Sequence, residues 1–281
     1  METLGILAGG GDLPLAIAES AQEAGRPVFL LGLKGSAGPE IERFPHGWIA
    51  MGETGRAFKL LHAHDCRDVL LAGRVARPKF SEVRLDAKSV MALPKILNAA
   101  RKGDDALLRA VVAMFESDGF RIVSVAEAAP GLLAKEGALG KIRPTPMQER
   151  DIAQAAQVVR RLGALDIGQA AVVCEGLVLA VEAAEGTDAM IARVGQLPDN
   201  LRGVPGKPNG VLLKALKPTQ DGKTDLPVIG VDTVRRSAEV GLAGIAVEAH
   251  RSLIINRRVV AEAADIAGLF VVGVPPIANP E

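Results

Sequence analysis

Aromatic side chains are scarce in this chain: there is no tyrosine, one tryptophan (Trp48) and seven phenylalanines in 281 residues. A site that grips its ligand chiefly by ring stacking is therefore not expected, and Ala, Val, Leu and Gly must do the packing. Cysteine is nearly absent too. Cys66 and Cys174 stand far apart with no CxxC spacing, which argues against a zinc site and against a disulfide framework, and fits a reducing cytoplasm. Charge of either sign is not in excess, with 33 Lys plus Arg against 33 Asp plus Glu, so the basic surplus of a nucleic-acid binder is missing. No window approaches the roughly 18 consecutive apolar residues of a membrane-spanning helix. The opening METLGILAGGGDLP has neither the basic flank nor the apolar core of a signal peptide. Four histidines (His46, His62, His64 and His250) lack general-base surroundings, and His62 and His64, two apart, do not match the i, i+4 pair of a helical zinc site. The GxSxG elbow, the GxxxxGK[ST] loop and HExxH are absent.

What is present is an alternation of short apolar runs and helix-patterned segments. TLGILA at 3–8 reads as a buried strand. Gly9-Gly10-Gly11-Asp12-Leu13-Pro14 follows, then a helical pattern to Ala24, closed by Gly25, and a second strand at Val28 to Leu31. Pro14 suits a first helical turn and Asp12 a cap. Such a strand, glycine loop and helix present backbone N–H groups to a phosphate or other anion. The dinucleotide fingerprint is poor, since its third glycine falls on Pro14 and the second strand ends in LLGLKG without a ribose-binding carboxylate. Further strands are expected at Trp48–Met51, Val69–Ala72 and Phe120–Ser124, with helices at Thr54–His64, Val90–Lys102 and Asp104–Asp118. Arg74, just past a strand end, is either an anion contact or an ordinary surface arginine. Asp104 and Asp105 read as capping residues. The pattern predicts a Rossmann-like, doubly wound parallel sheet over 1–135.

A Gly/Pro-rich linker is placed at 136–146, and a mixed α/β domain at 147–281. Met147–Leu162 reads as a helix with Ile152, Ala155, Ala156 and Val159 on its apolar face. Ala170–Cys174 and Leu177–Val181 flank Glu175-Gly176 as a hairpin. Three carboxylates, Glu182, Glu185 and Asp188, come next; Thr187 or Asp188 would cap a helix over 188–194, which leaves the two glutamates unexplained. Residues 195–210 form a long loop of the lid or binding type. The most polar stretch follows, VLLKALKPTQDGKTDLPVIGV at 211–231: a strand whose one charge is Lys214, then Lys217, Gln220, Asp221, Lys223 and Asp225 between Pro218 and Pro227. Its lysines suit a phosphate and its carboxylates a metal ion; a solvated loop with locally paired charges is the alternative. A helix from Thr233, strands at Ile245–Val247 and Leu253–Ile255, a helix at Arg257–Ala267 and a strand at Leu269–Val274 complete the half.

Several of these stretches resemble the LpxI family of UDP-2,3-diacylglucosamine pyrophosphatases, in order and over nearly the full length. They are LGILAGGGDLP at 4–14, LLAGRVARP at 70–78, GDDALLRAVV at 103–112, RPTPMQERDI at 143–152, the run GQAAVVCEGLVLAVEAAEGTDAMI at 168–191, VLLKALKPTQDGKTDLPVIGVDTV at 211–234 and AGIAVEAH at 243–250. His250 stands where the family often has glycine. The resemblance implies a two-domain homodimer of lipid A synthesis, peripheral at the cytoplasmic face of the inner membrane and in transient contact with it. Such enzymes hydrolyse UDP-2,3-diacylglucosamine to UMP and 2,3-diacylglucosamine 1-phosphate (lipid X) with a divalent cation, usually Mg2+, by attack of water on the phosphorus nearer the sugar. On that basis Asp225 is the leading catalytic carboxylate, either holding the metal or orienting the attacking water, and Asp188 shares the metal. Asp221 is a second candidate for that share. Lys214, Lys217 and Arg74 neutralise the diphosphate. Gly10, Gly11, Asp12 and Leu13 hold the nucleotide end, with Thr187 and Gln220 as further substrate contacts. The competing readings are a Rossmann-type nucleotide-sugar oxidoreductase or transferase, and a non-catalytic nucleotide-sugar or lipid carrier.

Overall fold

Two compact units divide the chain, Met1–Gly131 and Leu132–Glu281. The computed structural model describes residues 2–75, 86–101, 104–218 and 226–277, with all of their side chains except those of Ala87, Met91, Ala92, Lys95, Asp104 and Asp105.

In the first unit the order is β1 (Thr3–Ala8), α1 (Leu13–Glu23), β2 (Val28–Leu33), β3 (His46–Ile49), α2 (Thr54–Ala63), β4 (Cys66–Ala72), α3 (Ala87–Ala100), α4 (Asp104–Ser117), β5 (Arg121–Ile122) and the single turn α5 (Val125–Ala128). All five strands are parallel, in the order β3-β2-β1-β4-β5. β2 is buried along its whole length, as expected of a parallel strand covered on both faces. Fully buried Leu4, Ile6, Leu30 and Leu31 each contribute about 1.5–3 kcal/mol of apolar burial. The chain reverses direction across the sheet between β1 and β4, the switch point at which open α/β sheets take ligands.

Three local expectations shift. The third strand ends at Ile49, because the Ala50 N–H donates to the Glu53 carboxylate at 2.7 Å and starts a turn. The fifth is two residues long, because Ser124 is drawn off as the cap of α5 and accepts from the Glu127 N–H at 3.2 Å. Asp12 makes no capping bond: its φ of −82° and ψ of −14° are already helical, where a capping side chain needs extended backbone.

The second unit contains β6 (Gly137–Ala138), α6 (Pro146–Ala164), β7 (Ala170–Cys174), β8 (Leu177–Val181), α7 (Gly186–Val194), β9 (Val211–Lys214), β10 (Val228–Ile229), α8 (Val231–Glu239), β11 (Gly244–Glu248), β12 (Leu253–Ile254), α9 (Arg257–Ala267) and β13 (Phe270–Val274). Six strands form one sheet in the order β6-β13-β11-β9-β7-β8, and β10 pairs with β12 apart from it. The central β9, β11 and β13 are parallel, while β6, β7 and β8 run antiparallel to their neighbours. The stretch 136–146, read from its composition as a linker, thus carries an edge strand of this sheet.

Each face of the sheet has its own core. Met190, Val194, Val234, Val260 and Ala264, from α7, α8 and α9, pack against Val172, Leu212, Ile245 and Val271. On the other face Ile152, Ala155 and Val159 of α6 meet Val173, Leu213, Ala246 and Phe270. α6 starts with a reciprocal box in which Thr145 accepts from the Gln148 N–H and the Gln148 side chain accepts from the Thr145 N–H, with Pro146 in the first turn. At the hairpin, Glu175 and Gly176 both take positive φ, 50° and 79°, as a two-residue turn of the primed type requires. Buried Asp151 holds it by accepting from both of their N–H groups, at 3.0 and 2.8 Å.

Candidate active site

In the first unit the candidate residues gather at the C-terminal ends of β1 and β4. The two loops there bond to each other: the Gly10 N–H donates to the Arg74 carbonyl and the Arg74 N–H to the Gly10 carbonyl, both at 2.8 Å. Side chains would not fit this approach. A Cβ on Gly9 would lie 2.6 Å from the Arg74 oxygen, and one on Gly10 2.8 Å from the Ser36 oxygen in the loop after β2. Gly73, at φ +92°, would meet the Gly10 oxygen at 2.8 Å. Gly11 differs from these three. Its φ of +90° favours glycine, yet a Cβ there would meet nothing within 4 Å, so the loop faces open space at this point. Gly11, Asp12 and Arg74 are exposed, and Gly10 and Leu13 half-buried, just ahead of the α1 N-terminus. Donor N–H groups, a helix dipole and a guanidinium at one strand end suit an anion.

The second unit collects its candidates through register. Lys214, at the C-terminal end of β9, pairs with Val247 of β11 and with Ala170 at the start of β7, and Ala171 pairs with Val181 at the end of β8. Glu182 therefore emerges at the same end of the sheet as Lys214. It is buried, and its carboxylate accepts from the Gln169 N–H at 3.0 Å and from the Thr187 hydroxyl at 2.6 Å. The Gln169 carbonyl accepts in turn from the Ala215 N–H at 3.0 Å, which links the start of α7 to the residues after β9. α7 begins at Gly186 with no side-chain cap, so neither Thr187 nor Asp188 is the cap that its sequence suggested. Thr187 instead serves Glu182. Glu185 accepts from the Ala183 N–H and pairs with Arg193 at 2.9 Å. Asp188 is exposed in the first turn of α7, 3.7 Å from the Arg236 guanidinium.

Lys214 donates to the Val228 carbonyl at 3.3 Å, and Lys217 pairs with Asp166 at 2.9 Å. Asp221, Gln220 and Asp225 lie outside the described residues. So do Gly103, Lys223 and the side chains of Asp104 and Asp105. The flanks of 219–225 are anchored on both sides. Pro227 accepts from the Leu253 N–H at 2.8 Å, and Leu216 is bound through both of its backbone groups. The long loop 195–210 precedes β9 and is tied at the opposite end of the sheet, where the Asn209 N–H donates to the Gly241 carbonyl at 2.9 Å and the Arg202 guanidinium to the Leu197 carbonyl at 2.8 Å. Those ties lie at the sheet end opposite Lys214, Glu182 and Thr187, where the lid role its length suggested has no support.

Sequence reasoning missed a buried ion pair at this end. Arg160 of α6 and Glu248 at the end of β11 are 3% and 0% exposed, with Nη2 and Oε1 3.1 Å apart. Each of the two also bonds to Leu216 and to Ile277: Arg160 donates to the Leu216 carbonyl at 2.7 Å, and Glu248 accepts from the Leu216 N–H at 3.2 Å and the Ile277 N–H at 3.0 Å. The available signal was Glu248 as the one charge inside the apolar run GIAVEA, since a lone charge in a buried strand needs a partner.

Metal-ligand clusters of three or more His, Cys, Asp or Glu are absent among the described residues. Mg2+ does not require one: it keeps several waters and takes one or two carboxylates together with substrate phosphate oxygens. The exposed Asp188 carboxylate at the strand-end face fits such a donor. No helix among the described residues is long and apolar enough to cross a membrane.

Fold and site define a class: a two-unit α/β protein with glycine loops, cationic side chains and carboxylates at the strand ends where such sheets take anionic ligands. Residues 3–132 match the LpxI N-terminal domain and residues 135–272 the LpxI C-terminal domain, so this chain belongs to the LpxI family. It is 49% identical over 280 residues to a Caulobacter vibrioides protein named UDP-2,3-diacylglucosamine pyrophosphatase LpxI, covering 100% of both chains. Solved structures similar to it include the precorrin-6A reductase CobK, at 12% identity and a TM-score of 0.33 over 100% of this chain and 90% of that one. Another is a Thermus thermophilus UDP-glucose 4-epimerase in complex with NAD, at 16% identity and a TM-score of 0.32 over 100% and 88%. Likeness at that level carries no functional argument.

Proposed function

We propose that this protein hydrolyses UDP-2,3-diacylglucosamine to UMP and 2,3-diacylglucosamine 1-phosphate in lipid A biosynthesis. The observation that carries this reading is the end-to-end 49% identity with the Caulobacter vibrioides pyrophosphatase. The placement of cations and carboxylates at strand ends supports it. Water attacks the phosphorus nearer the sugar, its oxygen joins that phosphate, and the bond to the bridging oxygen breaks so that this oxygen leaves on UMP. Asp225 orients the attacking water and takes its proton. Lys214 and Lys217 offset the charge that develops on the diphosphate, and Arg74 is a substrate contact of the first unit. Gly10, Gly11, Asp12 and Leu13 hold the nucleotide end, the last three through backbone N–H groups and Gly10 by fixing the loop against Arg74. Thr187 and Gln220 contact the substrate, and Asp221 is a second candidate carboxylate. Asp188 and Asp225 would hold Mg2+, whose chemistry there is charge neutralisation at the phosphoryl oxygens. The protein acts as a homodimer at the cytoplasmic face of the inner membrane, touching its surface to reach the acyl chains.

Incubation with UDP-2,3-diacylglucosamine and Mg2+ should release UMP. Asp225→Ala should fold normally and lower turnover by about 10³-fold or more, the scale seen when a group acting on the reacting atoms is lost. Near wild-type turnover in that variant removes Asp225 from the mechanism, and full activity after exhaustive EDTA treatment removes the metal.

A further inference from the structure

Three residues spaced by three along the C-terminal part of α6 and the loop after it converge on Leu216–Pro218, the segment that carries Lys217. Arg160 donates to the Leu216 carbonyl at 2.7 Å while Glu248, its buried partner, accepts from the Leu216 N–H at 3.2 Å. Gly163 lets the segment lie against the helix: a Cβ there would stand 2.9 Å from Pro218 Cδ and 3.2 Å from Lys217 Cα. Asp166, 77% exposed, takes the Lys217 ammonium at 2.9 Å and leaves the Lys217 side chain 18% exposed.

Each of these features costs stability. A buried ion pair loses hydration that an apolar pair of the same volume would not need to give up. Glycine is a poor residue for a helix interior. Asp166 adopts a φ of +56°, which non-glycine residues rarely take without a compensating reason. An apolar pair would hold α6 on the sheet just as well, but it could not grip both backbone groups of one residue. All three costs fall on the same three-residue segment, at the end of the sheet where Lys214, Glu182 and Thr187 also stand.

We propose that Arg160, Gly163, Asp166 and Glu248 are positioning residues for Lys217: the Arg160–Glu248 pair fixes the backbone of Leu216, Gly163 sets how closely Lys217 and Pro218 approach α6, and Asp166 aims the ammonium. The role assigned to Lys217 rests on the diphosphate hydrolysis proposed above; the clamp itself does not.

The test combines kinetics with hydrogen exchange. Asp166→Asn, an exposed change that leaves the core alone, is expected to lower kcat roughly fivefold to tenfold with KM within about twofold and the melting temperature unchanged. Gly163→Ala is expected to lower kcat by on the order of 10- to 100-fold, the range that a displacement of about 1 Å produces, although alanine is the better helix former. In a Lys217→Ala background, Asp166→Asn should have no further effect, since the two act as one unit. Wild-type kcat in both single variants, or an additive loss in the Lys217→Ala background, overturns the positioning role. Hydrogen exchange followed on peptides covering 211–218 reads the clamp without turnover: Arg160→Lys should speed exchange at Leu216 and leave β7 unchanged. Slow Leu216 exchange in that variant overturns the clamp. Failure of the wild-type protein to release UMP would sink the hydrolase reading while the exchange result still stands or falls on its own.

Discussion

In each unit a buried carboxylate is bound by arginine, and the two carboxylates sit at opposite ends of their own sheets. Asp68 lies near the N-terminal end of β4, away from the glycine loop, and is held by Arg26 at 2.6 Å and Arg121 at 2.7 Å. Glu248 lies at the C-terminal end of β11, among the candidate catalytic residues, with Arg160 at 3.1 Å. The chemistry is alike but the partners differ. Asp68 ties the segment before β2 and the start of β5 onto β4, so its work is to hold the sheet together. Glu248 shares Leu216 with Arg160 and so reaches the backbone next to Lys217. Which end of the strand a buried charge occupies decides whether losing it costs stability alone or stability and chemistry together.

Glu248→Gln is the strongest way to break this comparison. It leaves Arg160 buried without a charge partner, and removing one member of such a pair costs about 3–5 kcal/mol. The loss should fall on the second unit, read as faster hydrogen exchange in β9, β11 and β13. The fluorescence of Trp48, the chain's single tryptophan and part of β3, reports the first unit and should keep its unfolding midpoint. Turnover per folded molecule should fall as well. Unchanged exchange in the second unit would mean that Glu248 is not the anchor its contacts describe.

A second contrast sharpens the comparison inside the first unit, between glycines that pack and a glycine that faces outward. Gly73→Ala adds a Cβ 2.8 Å from the Gly10 oxygen at a φ of +92° and should cost about 3 kcal/mol, combining strain with a backbone clash. Gly11→Ala has the same kind of φ but open space around it, so only the conformational term remains, about 1 kcal/mol. Urea unfolding followed by Trp48 fluorescence separates them. Equal losses would show that backbone conformation, not the contact between the two loops, sets the cost.

That first-unit loop was legible because glycine, proline and a buried apolar strand announce a strand–loop–helix turn by residue type alone. β2, α2, the Glu175-Gly176 hairpin and the apolar face of α6 were readable for the same reason: each follows from local conformation or from period. The Arg160–Glu248 pair was not, because its members are 88 residues apart and meet only when α6 lies across the sheet. Glu182 stayed unexplained in the sequence on similar grounds, since its partner Gln169 faces it through strand register. Composition also misplaced the stretch 136–146, where β6 adds to β13 although nothing in its Gly/Pro-rich pattern marks a strand. The loop 195–210 was long enough to suggest a lid, but length does not say at which end of a sheet a loop will lie.

Asp68→Asn should cost less than Glu248→Gln or Gly73→Ala, and pH makes its effect specific. The Arg121 hydrogen bond holds the Asp68 carboxyl below its usual value; burial works against this, and Arg26 adds to it. A carboxyl with a lowered folded-state pKa contributes stability that is present above its unfolded value, about 3.9, and is lost as pH falls through the folded value. The asparagine variant never had that contribution. At pH 7 it should be less stable by about 1.5 kcal/mol, at the low end for hydrogen bonds to charged groups because Arg121 is 57% exposed and screened by solvent. As pH drops below about 4 the unfolded chain begins to bind the proton and the contribution shrinks; once pH has passed through the lowered folded-state value the carboxyl resembles the amide, and the two unfolding curves should converge. Trp48 fluorescence in urea at pH 7, 4 and 3 reads this directly in the unit concerned. A difference that stays constant with pH would assign the loss to packing and remove the charge from the account of this end of the sheet. Turnover per folded molecule at neutral pH should match wild type, because Asp68 stands at the strand end that carries no candidate catalytic group.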